Sequence, residues 1–507
     1  MAGKGLWRTK SVEQSIADSL APDTKLRKEL TAWDLTVLGV AVVIGAGIFT
    51  LTARTAGDLT GPSVSLAFVL AAIACGLAAM CYAEFASTVA VAGSAYTFSY
   101  ATFGEFLAWI IGWDLVLEFS VAAAAVATGW SEYLQVVLGY MFGDGVRTSF
   151  ELGGITVNWG SLLLIVLLSL LLAMGTKLSS RFSMVITGIK VVIVLFVIVL
   201  GLMYVKGANY SPYIPPGESA ESAASGIDQT VFSWLAGGAS SAFGVFGLLA
   251  GASLVFFAFI GFDIVATTAE ETKDPKRAVP RGIIGSLAIV TVLYVAVAFV
   301  LTGMVKYSEL ATTTNPDGTE NRKTLATAFS LNDVDWAANI ISVGALAGLT
   351  TVVMVLMLGQ VRVLFAMSRD GLLPRALSRT DDRRGTPVRA TVLVGALVAV
   401  FATFFPAGKL EEMVNVGTLF AFILVSAGVM VLRRKRPDLP RAFKVPALPV
   451  VGVLAIGSCL WLMINLTILT WVRFFVWMAL GVVVYFLYGR RHSLLGKESA
   501  DSSAARR

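Results

Sequence analysis

Long apolar stretches alternate with short polar segments along almost the whole chain. A helix that crosses a bilayer needs about 20 predominantly apolar residues, and this pattern predicts twelve such helices, here called spans 1 to 12. The predicted spans lie at 33–53, 63–83, 104–137, 158–175, 181–205, 246–269, 282–305, 335–367, 388–406, 411–432, 446–467 and 471–489. Span 3 is longer than a bilayer requires, which predicts a tilted helix or one that extends beyond the membrane.

The composition agrees with a membrane protein. Of the 507 residues, 56% are hydrophobic and only 14% are charged, whereas a soluble domain carries about 25% charged residues. The predicted fold class is therefore an all-α membrane protein with 12 transmembrane helices.

The basic residues predict the orientation. Most of the 39 lysines and arginines fall in the two tails and in the loops on the same side as the tails, and basic loops mark the cytoplasmic side. We expect a multi-pass protein of the cell membrane with a cytoplasmic N-terminal tail at 1–30 and a cytoplasmic C-terminal tail at 490–507. This topology accounts for the net charge of +6, so no nucleic-acid partner is needed to explain it.

The sequence offers little for catalysis or metal binding. Its three cysteines (Cys75, Cys81 and Cys459) lie in apolar spans, and its single histidine, His492, lies in the C-terminal tail. No phosphate-binding loop, zinc motif or dinucleotide fingerprint occurs. We therefore expect no enzyme activity, no cofactor and no metal. A channel would need rings of pore-lining polar groups, a sensor would need a soluble output domain, and neither is evident.

Glycines interrupt two spans about 215 residues apart. Gly45 and Gly47 break span 1, and Gly261 breaks span 6. Glycine weakens a helix by about 1 kcal/mol relative to alanine, and unwound backbone in a membrane persists only where it lines a cavity or is buried in protein. Paired breaks in two halves of a chain indicate the midplane substrate site of a transporter. Close packing of helices through small residues is the alternative explanation.

Several motifs carry a resemblance to a known family. They are Leu26-Arg27-Lys28-Glu29-Leu30, Ile44-Gly45-Ala46-Gly47-Ile48-Phe49, Cys81-Tyr82-Ala83-Glu84-Phe85, Trp113-Asp114-Leu115-Val116-Leu117-Glu118, Phe257-Ala258-Phe259-Ile260-Gly261-Phe262-Asp263 and Arg369-Asp370-Gly371-Leu372-Leu373-Pro374. In this order they resemble the amino acid–polyamine–organocation superfamily, and within it the cationic amino acid transporters and their bacterial homologues. The resemblance implies a 5+5 inverted repeat with broken helices 1 and 6. The repeats would be 31–206 and 207–432, with two added helices at 433–489.

The resemblance and the chemistry of an amino acid point to the same site. Amides near Ala46, Gly47 and Ile48 suit a carboxylate, because the first amides of a helix are unpaired and carry positive potential. Carbonyls of Val43, Phe257 and Ile260 suit an ammonium. The family places an aromatic gate at Phe259. The complete set of predicted substrate-binding residues is Val43, Gly45, Ala46, Gly47, Ile48, Phe257, Ala258, Phe259, Ile260 and Leu356.

Charged and hydroxyl groups inside the spans are candidates for coupling. By resemblance, the Lys190 ammonium stands where sodium-coupled relatives bind a cation, and Glu118 stands where homologues carry the coupling proton. Tyr294 could donate to Glu118 or line the site. The alternatives are that Lys190 extends to the membrane interface, that Glu118 makes a structural hydrogen bond, and that Tyr294 is simply packed. Asp263 is expected to cap the second half of span 6.

The cytoplasmic ends predict a further cluster. Glu84, Glu270, Glu271 and Arg362 are expected to form an ion-pair network at an inner gate.

The position of Leu356 bears on selectivity. By comparison with the family it lines the side-chain pocket, where leucine offers no partner to a guanidinium, and a buried charge without a partner is costly. We therefore expect a proton-coupled, sodium-independent secondary transporter that favours small neutral amino acids. The alternative is a uniporter or antiporter of arginine, lysine or polyamines. Expected partners are the amino acid, the proton and the lipid bilayer, and a small single-span accessory subunit is left open.

Overall fold

A computed structural model describes residues 8–9, 30–89, 94–143, 146–152, 155–174, 180–217, 226–237, 242–269, 272–314, 320–379 and 387–496. Helices dominate this part of the chain. They are α1 (Ala32–Val43), α2 (Thr52–Thr55), α3 (Val64–Thr88), α4 (Ser94–Thr102), α5 (Glu105–Phe142), α6 (Trp159–Ala173), α7 (Ser180–Leu202), α8 (Val231–Leu235), α9 (Gly244–Val255), α10 (Phe262–Thr267), α11 (Pro275–Met304), α12 (Leu325–Ser330), α13 (Asp335–Arg369), α14 (Val388–Phe404), α15 (Ala407–Lys435), α16 (Leu448–Ile464), α17 (Ile468–Val484) and α18 (Arg490–His492). Most of the predicted tail at 1–30 lies outside the described residues.

Within the described residues, eight helical stretches are long and apolar enough to cross a membrane. One of them, Ala32–Thr88, runs through 57 residues and contains both of the first two predicted spans. Three shorter apolar helices, α6, α14 and α16, complete the set. The expectation of a mostly helical, multi-pass membrane protein is confirmed, and the count of twelve spans stays a prediction.

Two short antiparallel hairpins depart from the all-helical expectation. Strands β1 (Ser149–Leu152) and β2 (Ile155–Asn158) pair between α5 and α6 with Ser149 opposite Asn158. Strands β3 (Thr313–Thr314) and β4 (Glu320–Asn321) pair between α11 and α12. Both hairpins lie in connections between long helices, where the chain turns back on itself and two extended segments can pair.

The start of α1 is fixed by a capping box. Thr31 accepts a hydrogen bond from the Asp34 amide (3.4 Å), and the Asp34 carboxylate accepts one from the Thr31 amide (2.8 Å). This reciprocal arrangement satisfies amides that the first helical turn leaves unpaired. It defines where the first broken span begins.

The core of the bundle is built around α5, which extends over 38 residues. Its apolar middle is buried almost completely, and it packs against α13 and α15. Helix α11 packs in the same way against α1 and α3. The two broken spans therefore lie between long, continuous helices.

Helix α7 is a peripheral helix with two distinct faces. Large apolar side chains are exposed at spacings of three or four residues, which is one face of a helix: Val185, Ile189, Val192, Leu195, Val199 and Leu202. Lys190 lies on the other face and is only 1% exposed. The apolar face suits contact with lipid, and the lysine points into the bundle.

Helix α17 is attached to α5 through tryptophans. The Trp113 indole donates to the Trp477 carbonyl (3.0 Å), the Trp477 indole donates to the Trp113 carbonyl (3.1 Å), and the two rings stack with centroids 4.7 Å apart. The Trp109 indole donates to the Gly481 carbonyl at 2.8 Å. Gly481 is required for this approach, because a Cβ there would overlap the Trp113 ring.

We expect Gly481→Ala to destabilise the protein. Overpacking a filled interface costs about 1–3 kcal/mol, so the midpoint of thermal unfolding in detergent, followed by size-exclusion chromatography, should fall. Gly457→Ala on α16 is the matched control, since no atom lies within 4 Å of a Cβ built there. Equal midpoints in the two variants would contradict the proposed role of Gly481.

Candidate binding site at two helix breaks

The first break separates α1 from the helix that continues the span. Helix α1 ends at Val43, and Ile44 adopts an extended conformation with ψ 93°. Helical structure resumes as a π-helix over Gly47–Leu51. Gly45 accepts long hydrogen bonds from the Ile48 amide (3.2 Å) and the Phe49 amide (3.3 Å), so the Ile48 amide already has a partner.

The second break separates α9 from α10. The chain passes through a 3₁₀ turn over Phe256–Phe259 and an extended Ile260 with ψ 140°. Gly261 has φ 116°, a left-handed conformation that favours glycine. Gly261 occupies the N-cap of α10 without a side-chain cap. Asp263 lies in the first turn of α10, where its carboxylate is within reach of the backbone amides of that turn.

The two breaks touch each other. A Cβ at Gly47 would overlap both the Cβ and the Cα of Ala258, and a Cβ at Gly261 would overlap Val42. Glycine thus permits close packing and unwinding at the same positions. The structure thus shows the close packing through small residues, and the substrate site at the paired breaks stays a prediction.

Side chains from other helices bind carbonyls next to the breaks. The Lys190 ammonium donates to the Ala41 carbonyl at 2.8 Å. The Tyr294 hydroxyl lies 2.5 Å from the Val43 carbonyl oxygen and 3.1 Å from that of Ala258. The Asn415 amide donates to the carbonyls of Ser253 (2.7 Å) and Leu254 (3.2 Å).

These contacts distinguish between the alternative positions that the sequence left open for the Lys190 and Tyr294 side chains. Lys190 does not extend to the membrane interface, because its ammonium is buried against the end of α1. Tyr294 does not donate to Glu118, because its hydroxyl faces the two breaks. In both cases a buried donor reaches a carbonyl beside a break, which is how a membrane protein stabilises interrupted helices.

A small cavity lies between the breaks. Its lining comes from both breaks and from the continuous helices α5 and α13: Val42, Val43, Gly45, Ala46, Gly47, Ala122, Val126, Phe257, Ile260, Val352 and Leu356. Backbone, aliphatic and aromatic groups make up this surface. The interface between several helices of a bundle is a common place for a small-ligand site.

Most of the predicted binding residues meet here. Val43, Gly45, Ala46, Gly47, Phe257, Ile260 and Leu356 line the cavity, whereas Ile48, Ala258 and Phe259 do not. The Phe259 ring instead packs against Phe68 and Tyr294, with centroid distances of 6.1 and 5.4 Å. The aromatic side chain in the lining is Phe257, because the 3₁₀ turn directs Phe259 toward the neighbouring helices.

Four residues of the lining were missed by the sequence analysis, namely Val42 and three residues of the continuous helices. Ala122 and Val126 follow Glu118 at spacings of four and eight residues, and Val352 precedes Leu356 by four. Residues at these spacings share one face of a helix. Helical periodicity counted from Glu118 and Leu356 would have found all three.

Buried carboxyl groups lie outside the lining of this cavity. Glu118 is 1% exposed, Asp263 is 1% exposed and Asp114 is fully buried. Asp263 and Asp114 are close enough to Glu118 to interact with it electrostatically. Neither oxygen of Glu118 accepts a hydrogen bond from the described residues. Buried carboxyl groups within electrostatic reach of one another are candidates for binding a proton.

Of the predicted inner-gate residues, Glu84 has described ion pairs, and these are with arginines that the prediction did not include. The Glu84 carboxylate binds Arg433, accepts from the Val445 amide (2.7 Å) and lies 3.5 Å from Arg441. Arg362 lies on α13 and is exposed. Glu270 and Glu271 lie outside the described residues. The observed network therefore joins the end of α3 to the end of α15 and the segment that follows it.

Comparison with known proteins shows the family. A model of the amino acid permease family matches residues 30–491, and the chain belongs to this family. It is 42% identical to the branched-chain amino acid permease BcaP of Bacillus subtilis (strain 168) over 501 residues, which cover 97% of this chain and 99% of the relative. It is equally similar, 42% over 498 residues and the same shares of both chains, to the methylthioribose transporter of that organism. A vacuolar cationic amino acid transporter of Arabidopsis thaliana is 37% identical over 82% of this chain and 64% of its own length.

We expect Gly47→Ala to impair uptake of amino acids into proteoliposomes. The added methyl group would overlap the Ala258 backbone, and no rotamer change relieves a clash with backbone. A cost of about 1–3 kcal/mol corresponds to roughly a fivefold to 150-fold loss. Gly188→Ala on α7, where no atom lies within 4 Å of the new Cβ, should transport normally. Full activity of the Gly47 variant would show that the two breaks have room to separate.

Proposed function

We propose that this protein is a proton-coupled secondary transporter that moves neutral amino acids with aliphatic side chains across the cell membrane. The observation that carries the proposal is the cavity between the two helix breaks, which is lined by backbone groups of the breaks and by aliphatic side chains of α5 and α13. An α-amino acid has groups that match both kinds of lining. Its carboxylate and ammonium suit the backbone, and its side chain suits the apolar surface.

Recognition of the backbone of the substrate uses the two breaks. The amides of Ala46 and Gly47 stand at the start of the continuing helix, where positive potential favours a carboxylate. The Ile48 amide contributes less, because it donates to the Gly45 carbonyl. Carbonyls of Val43, Phe257 and Ile260 are the acceptors proposed for the ammonium.

The choice of side chain follows from the apolar lining. Val126, Val352 and Leu356 form the part of the cavity that the continuous helices contribute, and none of the described lining residues is ionisable. Burying a guanidinium or an ammonium there would leave a charge without a partner. This favours neutral amino acids over arginine, lysine or polyamines, and the similarity to a branched-chain amino acid permease points the same way.

Glu118 is proposed as the group that carries the coupling proton. It is buried near Asp263, so a proton on either group would relieve the repulsion between two carboxylates. Asp263 belongs to α10, the half-helix that begins at the second break. Protonation of Glu118 would therefore change the electrostatic environment of α10, which begins at the proposed substrate site. The Lys190 amino group binds the Ala41 carbonyl beside the first break, where the resemblance places the cation of sodium-coupled relatives, and we propose that transport does not depend on sodium.

The proposed architecture has twelve spans in a 5+5 inverted repeat, with cytoplasmic termini. Its support is a set of packed pairs, each of which joins helices at equivalent places in the two repeats, namely α3 with α11, α5 with α13 and α6 with α14. The short helices α4 and α12 also precede equivalent long helices, α5 and α13. The proposed repeats remain 31–206 and 207–432, followed by 433–489. Membership of a permease family favours transport over enzyme activity, and an accessory subunit is left open.

We expect leucine, isoleucine, valine and alanine to compete for uptake of labelled leucine in proteoliposomes, with arginine and lysine competing poorly. Leu356→Ser should weaken leucine transport, and the loss should stay within about 1–3 kcal/mol, the usual value of a methylene or two in an apolar pocket. The reason is that Leu356 contributes aliphatic surface to the cavity.

The matched control for this substitution comes from the same helix. Val343→Ser lies on the exposed face of α13 and should leave the selectivity unchanged. Stronger competition by arginine than by leucine in the unmodified protein would refute the substrate assignment. If methylthioribose competed and the amino acids did not, the site would instead resemble that of the methylthioribose transporter.

We expect Glu118→Gln to abolish accumulation of leucine against its gradient while counterflow exchange continues. The amide keeps the shape of the side chain but cannot release a proton. Asp335→Asn, an exposed carboxylate at the start of α13, is the control and should accumulate leucine normally when an inward proton gradient is imposed. Undiminished proton-driven accumulation by the Gln variant would remove Glu118 from the coupling mechanism.

A further inference from the structure

A basic pocket lies at the end of the bundle where the proposed cytoplasmic C-terminal tail begins. It has a volume of about 300 Å³ and is lined by Gly371, Arg375, Tyr488 and His492. One wall is the segment that follows α13, and the other is the helical stretch in which a π-helix joins α17 to α18. The basic pocket shares no lining residue with the cavity between the breaks, so it is a separate place on the protein.

The two walls of the basic pocket are joined by close backbone contacts. Gly371 has φ 82°, a left-handed conformation that favours glycine, and a Cβ there would overlap the His492 carbonyl oxygen. Two residues farther along, the Leu494 amide donates to the Asp370 carbonyl at 3.2 Å. The pocket is therefore part of the folded structure and not a gap between independent segments.

The polar groups of the basic pocket suit an anion. The rings of Tyr488 and His492 stack with centroids 4.1 Å apart, and His492 Nδ1 lies 2.9 Å from the Tyr488 carbonyl oxygen. A carbonyl can only accept, so Nδ1 carries a proton and the other ring nitrogen remains for a ligand. The Arg375 side chain is exposed, as are those of Arg490 and Arg491 beside the pocket. Guanidinium and imidazolium groups are strong hydrogen-bond donors to phosphate.

Two carboxylates in the same region do not cancel this charge within the pocket. Asp370 Oδ2 accepts from the Tyr96 hydroxyl at 2.7 Å. Glu105 is buried and accepts from the hydroxyls of Tyr485 (3.0 Å) and Ser493 (2.5 Å). Neither carboxylate belongs to the lining, so the ionisable side chains that face the pocket are basic or aromatic.

A row of exposed apolar side chains leads along α17 toward the basic pocket. Its members are spaced by three or four residues, as on one face of a helix: Val472, Val476, Leu480, Val483 and Leu487. Arg491 follows Leu487 by four residues, and His492 is next in the chain. An apolar helix face that ends in basic residues matches a phospholipid, since acyl chains contact the face while the headgroup meets the positive charge.

We propose that the basic pocket binds the phosphate group of an anionic phospholipid whose acyl chains lie along the apolar row of α17. The row is the reason for choosing a lipid over a free phosphate ion. A phosphate bound to both Arg375 and His492 joins the segment after α13 to α18, so a bound lipid stabilises the folded protein. This site goes beyond the proposed transport function and does not depend on the identity of the transported substrate.

The test measures binding to the full-length protein purified in detergent. The midpoint of thermal unfolding is followed during titration with phosphatidylglycerol, with phosphatidylcholine, and with glycerol phosphate as a soluble headgroup. We expect phosphatidylglycerol to raise the midpoint, because it combines a net negative charge with acyl chains. Phosphatidylcholine should raise it much less, and glycerol phosphate should leave it unchanged at the same concentrations. Native mass spectrometry counts the phosphatidylglycerol molecules that remain bound.

Substitutions on each part of the site locate the binding. Arg375→Gln combined with His492→Gln should weaken the apparent affinity for phosphatidylglycerol by at least about tenfold, as expected for lost hydrogen bonds to a charged group. Arg434→Gln removes an exposed arginine from the last turn of α15 and should bind like the unmodified protein.

The apolar row is tested by a second pair of variants. Leu487→Gln leaves the lining of the basic pocket intact and should also weaken binding, because it removes part of the surface for the acyl chains. Val453→Gln, on the exposed face of α16, is its control. Size-exclusion chromatography without added lipid checks that each variant is folded.

Three results would overturn the proposal. The first is an unchanged affinity for phosphatidylglycerol in the Arg375 and His492 double variant, which would place the lipid elsewhere. The second is an equal response to phosphatidylcholine, which would show that the negative charge is not recognised. The third is an equal response to glycerol phosphate, which would assign the basic pocket to a soluble phosphate compound and not to a lipid.

Discussion

The arrangement of this protein depends on hydrogen bonds to carbonyls beside the interruptions of two membrane helices. Unpaired backbone groups in the interior of a bilayer each cost several kcal/mol. Lys190 binds Ala41 before the first break, Asn415 binds Ser253 and Leu254 before the second, and Tyr294 lies between the two. Three helices that do not themselves break, α7, α11 and α15, supply these donors. The breaks are therefore held in place by the bundle that surrounds them.

One of these helices, α15, also contacts several other parts of the bundle. Helix α15 carries Glu411, which forms an ion pair with Arg54, and Asn415, which binds carbonyls before the second break. Thr418, farther along the same helix, lies near Glu118. A displacement of α15 would alter all three contacts at once. A rigid helix that contacts the first span, the end of α9 and the surroundings of a buried carboxyl group can couple these places without a longer chain of interactions.

The sequence predicted the class, the helices and the two breaks, because apolar length and glycine have direct local consequences. Most of the cavity residues also followed, from Val43 to Leu356. Phe259 lies outside the lining of the cavity, since the direction of a side chain in a 3₁₀ turn depends on neighbours that the sequence does not reveal, and its role as a gate stays a prediction. The partners of Glu84 and Tyr294 could not be predicted for a similar reason. Arg433 lies 349 residues from Glu84 along the chain, and no local pattern connects residues so far apart.

The Tyr294 hydroxyl has a consequence for the two carbonyls that it reaches. It has a single proton and two oxygens within hydrogen-bond distance, those of Val43 and Ala258, so it can donate to only one of them at a time. The protein thus divides one donor between two acceptors. An ammonium group brings three donors. On the proposed function, the ammonium of the bound amino acid can donate to the carbonyl that the Tyr294 hydroxyl leaves without its proton.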